Sequence, residues 1–368
     1  MKEIKDIIAA WQKLDGETRK VALATVIQVE GSSYRRAGAR MLIRDDGQWT
    51  GGISGGCLEG DALRKANHCM ARSRVEVVRY DTSTEDEEQI GVGLGCEGVI
   101  DVLLAPIEQD DEQNPIRVLE SCVSSRHPNI LLTVIRSEIE GIGAGKMYRY
   151  GQGEALSDGL LLHLPKGIKE ALEADVAHAR ATGKSQVKEY GEAFSVFIEV
   201  LQPAMRVVLF GSNYDLYPLL RMGRELGWEM DVVMNPARAS GAIRELAREI
   251  YPKGAEIPFD DYTAFVLMAH DYKTDRDNLL MALQSGVPYI GMLGPVKRRN
   301  KSLYELRAAG HVFSEEALGR LYNPVGLDIG ALTPEEIALS ILAEIKAHFA
   351  GRRGQFLRER AGYIHERS

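Results

Sequence analysis

The second half of the chain alternates short apolar runs with helix-forming runs, and this alternation restricts its fold more than any other feature. The predicted strands cover residues 206–210, 230–234, 264–268 and 289–292, and the predicted helices cover 216–226, 240–251, 275–285, 302–309 and 334–349. Because a parallel connection needs a crossover, this pattern predicts a doubly wound parallel sheet with helices on both faces. We assign residues 203–350 to this domain and residues 351–368 to a basic C-terminal tail.

Residues 1–202 are predicted to form an N-terminal α/β domain with glycine loops that carry cysteines. A helical spacing of apolar residues precedes a β-branched run at 20–29, and the Asp45-Asp46-Gly47 turn indicates a hairpin. Residues 130–200 contain strand-like segments and a helix near 170–182 but no recognisable chemistry. They are expected to complete the first domain or to cover its sheet.

The overall composition is that of a globular protein and does not indicate binding to nucleic acid or to an anionic membrane. The chain has 368 residues, a net charge of -8 and 45% hydrophobic residues, which suits two or three folded domains. It has no long run of lysine or arginine, which argues against nucleic acid or an anionic membrane as a partner. The apolar residues near the start of the sequence have the spacing of a helix rather than of a signal peptide, and no apolar run approaches the ~20 residues of a membrane span. We therefore expect a cytoplasmic protein.

The four cysteines are too few to staple a secreted scaffold of this size, so they are expected to be reduced. The most informative one, Cys57, lies in the run GGISGGCLEG at 51–60, where a strand gives way to a helix. Glycines let successive N–H groups converge, and the helix N-terminus attracts an anion and favours a thiolate. The run therefore predicts an anion-binding loop made of Gly52, Ser54, Gly55, Gly56, Cys57 and Glu59. The alternative is a tight turn around a small buried cysteine.

A second run, GVGLGCEG at 91–98, repeats this design around Gly95 and Cys96. The two cysteines do not have the spacing of a zinc site. We interpret both as candidate soft ligands or nucleophiles, and Cys69 and Cys122 as ordinary thiols.

The run GSSYRRAGAR at 31–40 surrounds a loop with hydroxyl and guanidinium groups. Arginine binds phosphate or carboxylate through its planar fork. The candidate anion-binding residues are Ser32, Ser33, Arg35, Arg36 and Arg40. The alternative is the solvated end of a hairpin.

In the second domain, several residues follow predicted strands, where open α/β sheets bind their ligands. Gly211 follows the first strand, but Asn213 replaces the central glycine of a dinucleotide fingerprint, and no acidic residue follows the second strand. NAD(P) binding is therefore disfavoured. The further candidates are His270, Asp271, Gly294 and Arg298, although His270 and Asp271 also suit a hydrogen-bonded helix start. Thr333, Pro334 and Glu336 indicate a capping box.

In this order, the runs GSSYRRAGARMLI, GGISGGCLEGDAL, GLGCEGVIDVLLAP, MAHDY, YIGMLGPVKRR and NPVGLDIGALTPEEIALSILAEI resemble the XdhC/CoxI family of maturation factors for molybdenum hydroxylases such as xanthine dehydrogenase. The resemblance covers about residues 5–107 and 204–350. It implies a Rossmann-like second domain and an accessory protein, more a chaperone than an enzyme that turns over. The chain departs from the family pattern at Glu97, at Gly211-Ser212-Asn213-Tyr214 and near Met234.

The resemblance also implies that the chain binds molybdenum cofactor, or molybdopterin, during its sulfuration and its insertion into an apo molybdenum hydroxylase. A cysteine desulfurase is the expected sulfur donor, and a homodimer is the expected assembly. Cys57 and Cys96 would then contact molybdenum or relay sulfur, and the arginine loop would take the phosphate. The alternative is an NAD(P)-dependent oxidoreductase that uses His270 as its acid and base.

Overall fold

The computed structural model describes residues 1–14, 19–31, 33–81, 98–111, 114–150, 160 and 163–360. Ser32, Gly95 and Cys96 lie outside these residues. The chain folds into two compact units, the first ending at Pro203 and the second beginning at Ala204. Within the described residues, no helix is long and apolar enough to span a bilayer.

The first unit contains a five-stranded antiparallel sheet. Its strands are β1 (Val21–Gly31), β2 (Arg40–Arg44), β3 (Trp49–Gly51), β4 (Glu76–Asp81) and β5 (Gly98–Ile107), in the order β3-β2-β1-β5-β4. Helix α2 (Glu59–Arg72) covers one face, and helices α1 (Lys2–Gln12) and α3 (Pro115–Val123) cover the other. Alternate residues of β1 supply the two cores, because successive side chains of a strand point to opposite faces.

The middle segment completes the first unit with a second antiparallel sheet. Its strands are β6 (Asn129–Ser137), β7 (Met147–Tyr150), β8 (Gln186–Tyr190) and β9 (Phe194–Leu201), in the order β7-β6-β9-β8. Helix α4 (Lys166–Thr182) packs on this sheet through Leu172 and Val176. This segment belongs to the first compact unit, and Phe197 of its sheet packs with Ile27 and Leu103 of the first sheet.

The second unit has the predicted doubly wound sheet. Six parallel strands run in the order β12-β11-β10-β13-β14-β15, namely β10 (Arg206–Phe210), β11 (Glu229–Val233), β12 (Glu249–Tyr251), β13 (Thr263–Leu267), β14 (Tyr289–Met292) and β15 (Leu321–Tyr322). This is the strand order of a Rossmann fold, with the chain reversing direction between β10 and β13. The helices are α5 (Leu216–Glu225), α6 (Gly241–Leu246), α7 (Tyr272–Ser285), α8 (Val296–Ala308), α9 (Glu315–Gly319) and α10 (Pro334–Phe349). Helices α5 and α10 pack on one face, and α7 and α8 pack on the other.

The predicted helix at 240–251 is wrong in its second half. Helix α6 ends at Leu246, and β12 pairs in parallel with β11 as an edge strand. Arg248 holds this segment on β11, because its backbone N–H bonds Met230 O at 2.7 Å and its side chain bonds Asp231 at 2.6 and 2.9 Å. Strand pairing thus overrides the helix-forming composition of the run.

Candidate functional site

The glycine loop between β3 and α2 is organised by the carboxylate of Glu59. Glu59 Oε1 accepts the N–H groups of Ile53 at 3.1 Å and Ser54 at 2.8 Å, and Oε2 accepts the N–H of Leu58 at 3.2 Å and the Ser54 hydroxyl. Glu59 is buried, with 5% of its surface exposed. The predicted anion at this loop is therefore supplied by the chain itself, and these backbone donors are already used.

The environment of Glu59 favours its charged form. Burial raises the pKa of this carboxyl, but the hydrogen bonds from the Ser54 side chain and from the backbone outweigh burial and lower the pKa below its usual value. Ser54 completes the turn, since its Oγ also accepts the N–H groups of Gly56, Cys57 and Leu58 at 3.1–3.3 Å. The loop is thus held rigidly from inside.

This internal anchoring leaves Cys57 exposed with a free thiol. Gly55 and Gly56 beside it are also exposed. The other described cysteines differ, because Cys69 and Cys122 are buried. Burial and the neighbouring Glu76 raise the pKa of Cys69 to about 11, and burial raises the pKa of Cys122. Among the described cysteines, Cys57 is therefore the one placed to meet a ligand.

The loop that follows β1 lies against the glycine loop. A Cβ added at Gly55 would lie 3.5 Å from the ring of Tyr34. Tyr34 and Arg36 are exposed, whereas Arg35 is tied to α1 by an ion pair with Glu3. Ser33 Oγ accepts the Arg35 N–H at 3.4 Å, so it shapes the turn. We call the exposed residues Tyr34, Arg36, Gly55, Gly56 and Cys57 the thiol surface.

Arg40 does not belong to the thiol surface. Its guanidinium is 1% exposed, forms an ion pair with Glu199 of β9 and donates to Gly38 O at 2.8 Å. The Glu199 carboxylate also explains why residue 38 is a glycine, because a Cβ at Gly38 would lie 2.7 Å from Glu199 Oε1. The expectation that Arg40 takes a phosphate is withdrawn, since the buried ion pair leaves it no surface to offer.

Gly52 also has a structural role, since its N–H bonds Arg40 O at 2.8 Å.

In the second unit, Gly211 also has a structural role. A Cβ at Gly211 would lie 2.5 Å from Met268 O, so the glycine allows β10 and β13 to approach each other at their carboxyl ends. After β11, Asn235 stands near the position of a ribose-binding acid and caps the turn Pro236–Arg238 by accepting the Ala237 N–H at 3.0 Å.

The remaining predicted residues of the second unit lie at the carboxyl edge of its sheet. Asp271 is the N-cap of α7 and accepts the Thr274 N–H at 2.8 Å. Arg298 bonds the buried Asp275 at 2.6 Å, and Asp275 in turn accepts the Ala269 N–H at 2.9 Å. Gly294 has a φ of 114°, a left-handed conformation that favours glycine. Asp271, Asp275 and Arg298 therefore fix the loop that carries His270.

His270 is partly exposed and contacts a residue that the sequence did not single out. Its Nε2 lies 2.5 Å from Asp215 Oδ2, and both residues line a cavity of about 140 Å³. Asp215, Glu199, Tyr34 and Asp275 are contributors that sequence reasoning missed. Among the described residues, no cluster of three or more His, Cys, Asp or Glu residues has the arrangement of a metal site.

Comparison with known proteins gives two family matches. A family model described as the XdhC Rossmann domain matches residues 207–345, and one described as the XdhC and CoxI family matches residues 15–81. A probable xanthine dehydrogenase subunit from Bacillus subtilis is 28% identical, over 89% of this chain and 93% of its own length. The molybdenum cofactor insertion chaperone PaoD of Escherichia coli is 23% identical, over 88% of this chain and 81% of its own.

A solved structure has a similar fold along nearly the whole chain. The crystal structure of a xanthine dehydrogenase from Bacillus halodurans matches with a TM-score of 0.70 and 26% identity, covering 95% of this chain and 97% of that one. The fold class predicted from the sequence is thereby confirmed.

Proposed function

The chain belongs to the XdhC and CoxI family, and from this premise we propose that it is a molybdenum-cofactor insertion chaperone for a hydroxylase of the xanthine dehydrogenase type. Two relatives that match most of the chain support this proposal, one named for xanthine dehydrogenase and one for cofactor insertion. The cofactor is cargo in this proposal, held by the chaperone and passed to the apo-enzyme.

The observation that carries the proposal is the exposed thiol of Cys57 at the start of α2. Thiolates are soft ligands and nucleophiles, which suits both contact with molybdenum and transfer of sulfur. Ser54 and Glu59 hold the loop around it in one conformation, so the thiol is presented without prior rearrangement. Cys96 is proposed as a second thiol of the same type.

Arg36 is the proposed contact for the phosphate of the cargo. Arg36 is exposed on the thiol surface. A guanidinium at that place offers charge-assisted hydrogen bonds to phosphate.

We expect Arg36→Ala to weaken cofactor binding more at low salt than at high salt, because ions screen the attraction between exposed charges. Binding of purified cofactor is measured at about 50 mM and about 500 mM salt, because the Debye length is much shorter at the higher concentration. Arg64→Ala is the matched control, since Arg64 is an exposed arginine of α2 that pairs with Asp61. An equal loss at both salt concentrations would contradict the phosphate assignment.

The proposal has three further parts. A cysteine desulfurase supplies sulfur for sulfuration of the cofactor, an apo molybdenum hydroxylase receives the cofactor, and the chain acts in the cytoplasm as a homodimer. Pull-down of each protein partner by the purified chain tests the first two. Light scattering on the eluted chain tests the dimer.

A second candidate function is an NAD(P)-dependent oxidoreductase, favoured by His270 and Asp215 at the carboxyl edge of a Rossmann sheet. It is opposed by Asn213, which replaces the central glycine of a dinucleotide fingerprint, and by Asn235, which caps a turn after β11 near the position of a ribose-binding acid. We therefore rank it second.

A further inference from the structure

Tyr34 is the aromatic side chain of the thiol surface, and most of it is open to solvent. The residue is 71% exposed, and its hydroxyl has no hydrogen-bond partner among the described residues. The buried Tyr289 differs, because its hydroxyl donates to Glu344 at 2.9 Å. Exposure alone does not make a site, since single exposed apolar side chains are common on proteins. The neighbouring glycine provides a second, independent observation.

Gly55 lies against the base of the Tyr34 ring. A Cβ added at Gly55 would lie 3.5 Å from Cγ and Cδ1 of the ring, which is ordinary van der Waals contact. Gly55 also lacks the left-handed backbone that favours glycine, whereas the next residue, Gly56, has a φ of 110°. Neither backbone strain nor a clash therefore explains the glycine at position 55. Its missing side chain leaves the ring uncovered, because a longer side chain would lie against the ring.

The uncovered ring stands beside the two groups already proposed to meet the cargo. Tyr34 lies two residues before Arg36, and Gly55 lies two residues before Cys57. Ser54 Oγ accepts the Cys57 N–H at 3.1 Å, so the loop against which the ring lies is fixed. The proposed function assigns the thiol to molybdenum and the guanidinium to phosphate. It leaves the pterin of the cargo without a contact.

We propose that the Tyr34 ring stacks on the pterin of the cargo, and that Gly55 keeps the ring uncovered for this contact. Flat heteroaromatic rings stack on tyrosine, and loss of one such contact weakens the binding of a nucleic-acid base roughly 5- to 100-fold. Every residue of this contact lies in the first unit. The inference rests on the proposed function, because the cargo proposed there carries a pterin.

The test measures binding of metal-free molybdopterin, which has the pterin and the phosphate but no molybdenum. The full chain is purified from cells that cannot make the cofactor, and bound and free molybdopterin are separated anaerobically and quantified by pterin fluorescence after oxidation. We expect Tyr34→Ala to raise the Kd roughly 5- to 100-fold. Tyr34→Phe should stay within about twofold of wild type, because a phenyl ring also stacks and the hydroxyl is not needed.

Tyr304→Ala is the matched control for loss of an exposed tyrosine. Tyr304 is 74% exposed and lies on α8 of the second unit. Its replacement should leave the Kd unchanged. All variants should keep the wild-type melting temperature, which shows that a weakened affinity does not come from unfolding.

Gly55→Leu tests whether the ring must be uncovered. It should raise the Kd at least about fivefold, because the leucine side chain would cover the face that the pterin needs. Gly241→Leu is its control, since Gly241 is an exposed glycine at the start of α6 with no atom within 4 Å of an added Cβ. Wild-type affinity in Gly55→Leu would overturn the role of the glycine.

Three results would overturn the stacking contact itself. They are a wild-type chain that does not bind metal-free molybdopterin, wild-type affinity in Tyr34→Ala, and an equal loss of affinity in Tyr34→Ala and Tyr34→Phe. The chaperone proposal fails separately. If the chain retains molybdenum but Tyr34→Ala binds as wild type does, the chaperone function stands and the stacking contact is wrong. If the ring is needed for molybdopterin but the chain never retains molybdenum, the contact stands and the chaperone function is wrong.

Discussion

Arg40→Met is expected to lower the free energy of unfolding of the first unit by about 3–5 kcal/mol, because it leaves Glu199 as an unpaired buried charge. Arg40 and Glu199 are 1% and 5% exposed, and the guanidinium contacts both carboxylate oxygens. The double variant Arg40→Met/Glu199→Met should recover most of the loss, since two apolar side chains replace the pair.

Denaturation of the first unit can be followed by tryptophan fluorescence. Trp11 and Trp49 lie in the first unit and Trp228 in the second, so all variants carry Trp228→Phe. Arg44→Met is the control, because Arg44 forms a more exposed ion pair with Asp46. A loss below about 1 kcal/mol for Arg40→Met, as is typical of surface pairs, would contradict the structural role of Arg40.

Glu59→Gln is expected to cost the first unit about 2–3 kcal/mol at neutral pH, because the new amide group faces the Leu58 N–H and the Ser54 hydroxyl, both of which are donors. The pKa of Glu59 is lowered in the folded state, so its contribution is present above its unfolded pKa. The contribution is lost as the pH falls through the folded pKa. The difference between wild type and variant should therefore shrink below about pH 4.

The measurement is urea denaturation at pH 7 and at pH 3.5 in the same Trp228→Phe background. Glu173→Gln, an exposed change of the same type on α4, should have little effect at either pH. If Glu59→Gln is as stable as wild type at pH 7, the glycine loop is not built around this carboxylate. The loop amides would then be open to a phosphate, as the sequence first suggested.

The sequence was sufficient for the elements whose signals are local. The alternation of apolar and helical runs after residue 206 predicted the parallel sheet, and the Asp45-Asp46-Gly47 turn predicted the hairpin of β2 and β3. The capping box at the start of α10 is also confirmed, since Thr333 and Glu336 bond each other's backbone N–H groups. Each of these signals lies within a few residues of the structure that it specifies.

Long-range partners could not be predicted in this way. The role of Arg40 depends on its contact with Glu199, which is 159 residues away, and the role of His270 depends on its contact with Asp215, which is 55 residues away. Arg40 and His270 were both identified from the sequence as candidate site residues, but in each case the distant partner determines the role of the residue. The helix-forming run at 240–251 failed for the same reason, because its second half pairs with a strand that the local composition does not reveal.

The glycine loop shows how a correct signal leads to an incomplete interpretation. Its glycines and helix N-terminus indicate an anion, and the structure contains one, but this anion is the side chain of Glu59 two residues after Cys57. The sequence did contain a cue to this role, because the carboxylate lies within the glycine run itself. The consequence is that the thiol and Arg36, rather than the amides, are the groups proposed to meet the cargo.

The most direct test of the chaperone proposal is anaerobic purification of the full chain, with molybdenum and pterin measured in the eluted protein. We expect stoichiometric cofactor with wild type, its loss with Cys57→Ala and with Cys96→Ala, and its retention with Cys69→Ala, in which a buried thiol is removed. NADH is titrated into the same preparations. Wild-type protein that carries no molybdenum and no pterin but binds NADH at micromolar concentration would contradict the account and favour the oxidoreductase.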